Sequence, residues 1–227
     1  MTSRGRRLAL AIAAFCLLTA SMTVPQASAQ RINVLIVGDS VAAVLRWAPE
    51  SMKPLWGGTY NVTLEVWGCQ KLLDAGCADS AQMSALDQII KRRSKNLDIV
   101  VIATGYNDTG DEYLRGAIRK INAEVKSQGA SLMWLTYREN GHVKIKNRSF
   151  NRVLKAEAKR LRITLLDWER IARKNKHWFS GDRVHMNQFG GLQLARQIKK
   201  TLDLTTGYTK ATTTTTTTTV IATTVPS

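Results

Sequence analysis

The chain has 227 residues, about one domain's worth and long enough to bury a proper core, and its 33 Lys and Arg against 17 Asp and Glu give a formal net charge of +16. Such an excess points to an anionic partner or to a plain basic surface. Three Cys and three His, scattered along the chain, do not make a metal-ligand cluster, so no metal or cofactor is expected.

Residues 1–29 read as a secretory leader, because Arg4, Arg6 and Arg7 precede the apolar run 8–18 and Ala27, Ser28 and Ala29 offer small residues for cleavage after Ala29. The run falls short of the roughly 20 residues that a membrane span needs. No other segment could cross a bilayer, so the expectation is an exported protein and not an integral membrane one. The leader takes away three of the 33 basic residues and none of the 17 acids, which leaves +13. For an exported chain that charge suggests acidic wall polymers, phospholipid head groups or acidic polysaccharide in preference to nucleic acid.

Strand-like apolar runs then alternate with amphipathic segments. Strands are predicted at 32–37, 61–67, 97–103, 130–136 and 163–167, and helices at 40–47, 80–93, 111–127, 149–160 and 188–202. Within 111–127, Tyr113, Leu114, Ala117, Ile118, Ile121 and Val125 recur at helical spacing and read as core. Strands separated by helices imply a three-layer α/β/α domain on a five-stranded parallel sheet, here over residues 30–204. Beyond it, 205–227 contains eight consecutive threonines and reads as a disordered tail of a kind that can carry sugars or act as a spacer. In such sheets ligands bind beyond the carboxyl ends of the strands, so the residues after each strand carry the chemistry.

Those ends are Gly38-Asp39-Ser40, Gly68-Cys69, Thr104-Gly105-Tyr106-Asn107-Asp108 and, near the carboxyl terminus, Asp182-Arg183-Val184-His185. A serine hydroxyl needs a base to take its proton and a third group to orient that base. Of His142, His177 and His185, only His185 has a carboxylate, Asp182, at a spacing that lets it turn back to the ring. Acyl transfer also needs donors aimed at the developing oxyanion. The N–H of Ser40, the N–H of Gly68 and the amide of Asn107 are the candidates. Together these residues outline a serine esterase. A Gly-x-Ser-x-Gly elbow is missing, since Ala42 stands where its second glycine belongs.

In these blocks the chain resembles the SGNH (GDSL-like) hydrolases. Gly38-Asp39-Ser40 matches the first family block, Gly68 the second, Gly105-Tyr106-Asn107-Asp108 the third and Asp182-x-x-His185 the last, so the resemblance spans nearly all of 32–202. It implies a flavodoxin-like fold with Ser40 as nucleophile, His185 as base, Asp182 as its orienter, and Ser40, Gly68 and Asn107 as oxyanion hole. Val41 departs from the leucine of the family name. The stretch from Asp167-Trp168 through Trp178-Phe179 to His185 is similar to bacterial members that act on cell-envelope glycans, alone or attached to membrane acyltransferases.

Three expectations concern the surroundings of Ser40. The loop 137–147 carries Arg138, His142, Lys144 and Lys146, which would form a basic lip for an anionic polymer, or an ordinary lysine-rich loop. Trp56, Trp67 and Trp178 are candidates to stack on sugars, or core residues. Cys69 and Cys77, eight residues apart, would close a disulfide in an oxidising compartment and fix Gly68, with two free thiols as the alternative. The resulting expectation is a secreted esterase removing short acyl groups, such as acetyl, from small esters or carbohydrate. An O-acyltransferase and a catalytically idle glycan-binding module are the alternatives.

Overall fold

The computed structural model describes residues 31–77 and 83–207; the expected leader, the residues from 208 onward and the predicted helix start at 80–82 lie outside them. Strands β1 (Ile32–Gly38), β2 (Tyr60–Val66), β3 (Ile99–Ala103), β4 (Ser131–Leu135) and β5 (Thr164–Leu166) form one sheet in the order β2-β1-β3-β4-β5. All four pairings are parallel. This is the flavodoxin-like order, with its switch point between β1 and β3.

The central strands are apolar almost throughout because both faces of the sheet are covered. Alternate residues of β1 enter opposite layers. Val34 and Ile36 pack with Leu194, Ile198 and Leu202 of α6 (Gln188–Thr206) and with Val44 and Leu45 of α1 (Val44–Trp47). Leu35 and Val37 pack instead with Ile89 of α2 (Ala85–Lys91), Leu114, Ile118 and Ile121 of α3 (Asp111–Ser127) and Leu154 of α4 (Lys144–Leu161). A short α5 (Trp168–Ala172) adds Trp168 to the first layer.

Four helix boundaries differ from expectation by more than two residues. α2 starts at Ala85, where the Ser84 side chain caps it, instead of at 80. Residues 40–43 form a turn and α1 starts only at Val44, because the Asp39 side chain takes the Val41 N–H at 3.0 Å and holds the chain out of a regular helix. α4 begins at Lys144 instead of 149, converting the end of the expected loop 137–147 into helix. Its early inward positions are asparagines: Asn147 donates to the Arg138 carbonyl at 2.8 Å, and Asn151 donates to the Tyr137 carbonyl at 2.7 Å. Polar residues in the core stripe hide the helical periodicity. α6 runs on to Thr206, with the hydroxyls of Thr201, Thr205 and Thr206 bonded to carbonyls one turn back.

Candidate active site

Ser40 stands at the carboxyl end of β1, in the turn that leads to α1. The residue before it sets the geometry. Asp39 is fully buried, and besides Val41 it accepts the N–H groups of Gly105 at 3.1 Å and Tyr106 at 3.0 Å and the Thr104 hydroxyl at 3.3 Å. One carboxylate thereby joins the nucleophile turn to the loop after β3. Burial outweighs those four donors and pushes its pKa up to about 6.

The loop before α6 brings the base. Asp182 accepts the N–H groups of Val184 at 2.9 Å and His185 at 3.0 Å through one carboxylate oxygen, while the other meets His185 Nδ1. Ser180 donates its N–H to the His185 carbonyl at 2.8 Å, and Asn187 caps α6 at Gly190, so the loop is pinned at both ends. His185 Nε2 then lies 2.9 Å from Ser40 Oγ. With Nδ1–H directed to Asp182, Nε2 is left as acceptor for the serine proton. Burial works against ionisation of Asp182, but the hydrogen bonds from the His185 ring and from the Val184 and His185 N–H groups prevail and hold its pKa below the ordinary value.

The third loop presents Asn107. Gly105 adopts φ +130° and lies so close to Tyr137 that a Cβ would stand 2.3 Å from the phenol oxygen, which explains glycine at this position. Asn107 donates one amide N–H to the Gln70 carbonyl at 3.2 Å, leaving its second for a ligand. That carbonyl also accepts the Thr104 hydroxyl at 3.0 Å, and Asp108 accepts the Leu72 N–H at 3.1 Å. The loop carrying Gly68 is thus tied to the loop carrying Asn107. Cys69 and Cys77 form a disulfide within it, with Cα atoms 5.5 Å apart.

No protein-family model and no curated protein matches the sequence. Solved structures do. The chain is similar to TesA at 18% identity over 76% of this chain and 98% of that one, with a TM-score of 0.59. It is similar to the acetyl xylan esterase AlAXEase at 18% identity, 74% and 98% coverage and a TM-score of 0.56. A member of the lipolytic protein G-D-S-L family from Veillonella parvula DSM 2008 gives 15% identity, 77% and 98% coverage and a TM-score of 0.58. The chain has the SGNH-hydrolase fold.

On this SGNH fold, the expected triad of Ser40, Asp182 and His185 comes together, and Asn107 and Gly68 stand on the two loops beside it. The basic lip requires correction. Arg138 is buried at 1% exposure, its guanidinium lies 3.6 Å from the Phe179 ring centroid, and it donates to the carbonyls of Arg183 at 2.7 Å and Ala172 at 2.8 Å. It therefore lies beneath the Asp182–His185 loop, where no polymer meets it. Lys146 spends its amine on the carbonyls of Tyr106 and, at 3.1 Å, Asp108, the two residues flanking Asn107. Only His142 and Lys144 of the expected lip are exposed.

Trp178 is buried and stacked on Trp168, with centroids 5.8 Å apart, and so is core. Trp67 is covered by the Arg46 guanidinium at 4.0 Å, whereas Trp56 is exposed. Asp39, Gln70, Arg138 and Lys146 shape the site without standing among the residues expected to do chemistry. Asp39 lies inside the first family block and Gln70 two residues after Gly68, whereas Arg138 and Lys146 were expected to meet substrate and instead support the loops from beneath. Among the described residues, no group of His, Cys, Asp and Glu is placed to hold a metal ion, and no helix is long and apolar enough to cross a membrane.

Proposed function

We propose that the chain is an exported serine esterase that removes short acyl groups, acetyl above all, from carbohydrate of the cell envelope or its surroundings. The reading rests on one observation: Ser40 Oγ, the His185 ring and the Asp182 carboxylate stand in hydrogen-bonded line at the switch point of the sheet. As Ser40 Oγ attacks the ester carbonyl, its proton passes to His185 Nε2, and Asp182 stabilises the resulting imidazolium. The carbonyl oxygen becomes an oxyanion facing the N–H groups of Ser40 and Gly68 and the free Asn107 amide hydrogen. The C–O bond to the alcohol then breaks, and His185 returns the proton to the departing oxygen. Water, deprotonated by the same nitrogen, attacks the acyl-enzyme and releases the carboxylic acid, restoring Ser40.

The acyl group and alcohol assigned here are those suggested by two structural neighbours described as acetyl xylan esterases. The test is p-nitrophenyl acetate with the wild type and Ser40→Ala, following nitrophenol release and the mass of the intact protein. Release with acetyl on Ser40, both lost in the variant, is expected; equal release by the variant would refute the assignment.

A further inference from the structure

The outer face of α4 carries Lys144, Arg148, Arg152, Lys155 and Lys159, all exposed and spaced four, four, three and four residues apart. That spacing places them in one row, about 22 Å long at 1.5 Å per residue. The helix has one acid, Glu157, and it is buried and engaged by Arg115, Arg119 and Arg160, so it neutralises none of the row. Among the described residues, only Arg148 of the five has an ion pair, with Glu139 at 3.2 Å. The row also runs against helix stability. The first turn of α4 has no acid, and Lys144 sits where the helix dipole disfavours a cation.

The row begins at the candidate active site. Just before α4, Gly141 adopts φ +56° and presses so closely on the Asp182 loop that a Cβ there would lie 2.6 Å from the Asp182 carbonyl oxygen. One turn into the helix, Lys146 reaches the carbonyls on either side of Asn107. The amino end of α4 is therefore wedged between the loop of the base and the loop of the oxyanion donor, and the cations lead away from that point.

We propose that the α4 row is a docking track for a linear acidic polysaccharide with a carboxylate on each sugar, which it feeds to Ser40; this rests on the esterase reading for its purpose, though not for its binding. Cations on a rigid helix keep a fixed pitch of about 6 Å per four residues. A stiff polyuronate matches such a row with little loss of entropy, whereas a flexible poly(alditol phosphate) must be ordered to do so. Single-stranded nucleic acid would call for aromatic side chains between the cations, and none is exposed on α4. A lipid surface would call for a wide apolar face, and Ile145 is the one large apolar side chain exposed on this helix.

The test compares the wild type with the triple variant Arg152→Gln, Lys155→Gln, Lys159→Gln, all distant from the triad in sequence and on the solvent face. Binding of unacetylated polygalacturonate is measured by calorimetry at low and high salt, beside poly(glycerol phosphate), anionic phospholipid vesicles and single-stranded DNA, and hydrolysis of p-nitrophenyl acetate is followed in parallel. Polygalacturonate binding that weakens on the order of tenfold in the variant and is lost in high salt, with ester hydrolysis unchanged, is the expected result. Equal binding by the two proteins, or a preference for any of the other three ligands, would overturn the proposal. Because binding needs no turnover, a wild type that binds the polymer yet never cleaves an ester would refute the esterase reading and leave the track standing.

Discussion

Asp39→Asn tests whether a buried carboxylate organises the site. Asp39 has no exposed surface and a pKa of about 6, against an ordinary value of 3.8, so the folded state binds its proton more tightly than the unfolded chain does. Stability is therefore gained as pH falls through 6 and levels off below 3.8. At roughly 1.4 kcal/mol for each tenfold in proton affinity, the full effect is about 3 kcal/mol, of which about 2 kcal/mol falls between pH 7 and pH 4.5. Asparagine does not ionise, so the variant lacks this gain, while every other titrating group is common to both proteins. The asparagine amide also turns donors toward the N–H groups that Asp39 accepts, at a cost of roughly 1–3 kcal/mol at any pH. Urea unfolding of both proteins at pH 7 and pH 4.5 measures the difference. The wild type is expected to widen its lead by about 2 kcal/mol at the lower pH. A lead that stays constant or shrinks would refute the reasoning.

The remaining predictions concern the loops around Ser40. Asn107→Ala should lower kcat for p-nitrophenyl acetate by ~10²–10³ with the fold intact by circular dichroism, as expected for one lost oxyanion donor; a variant of full activity would remove Asn107 from the site. Arg138→Lys keeps the charge but cannot span the carbonyls of Arg183 and Ala172 as a planar fork does, so kcat should drop about tenfold with KM unchanged. A wild-type kcat would show that the Asp182–His185 loop stands without it. Replacing Cys69 and Cys77 by serine opens a short loop, which should cost about 2.5 kcal/mol in urea unfolding and reduce kcat as Gly68 loosens. Lost stability with unchanged kcat would confine the disulfide to a structural role.

Most of the sheet and the placement of the candidate triad were legible in the sequence because each obeys a short-range rule. Buried parallel strands are continuous apolar runs, and the five expected runs agree with β1 to β5 to within two residues at either end. Ser40, Asn107 and the Asp182–His185 pair follow strands or precede a helix, where such a fold exposes side chains. Less legible was what lies beneath them. α4 was expected too late because Asn147 and Asn151 occupy inward positions that periodicity assigns to apolar residues. Arg138 and Lys146 looked like surface cations because composition cannot tell a solvated guanidinium or amine from one spent on backbone carbonyls. Those carbonyls, of Arg183, Ala172, Tyr106 and Asp108, are 34 to 45 residues away along the chain, and only the folded loops bring them into reach.

Two buried polar residues, Asp39 and Arg138, fix the relative positions of the three loops, and their placement gives each a different task. Asp39 gathers donors from the loop after β3 and so holds the oxyanion side against the nucleophile turn. The backbone N–H of Arg138 donates to the Tyr106 hydroxyl at 2.8 Å while its guanidinium donates to the Arg183 carbonyl, so residue 138 holds the base side against that same loop through main chain and side chain together. Tyr106 is common to both sets of bonds. A displacement of the loop after β3 must therefore disturb the oxyanion donor and the acid–base pair together, whereas an apolar core at these positions would let each loop settle by itself. Buried polar groups cost desolvation free energy, and that cost is offset here because nearly every donor and acceptor has a partner. The exceptions in this network are one terminal nitrogen of Arg138, Oε1 of Gln70 and Oδ1 of Asn147, which have no partner among the described residues. Each leaves part of its desolvation cost uncompensated, so the network is satisfied at the bonds that join the loops and less so around them.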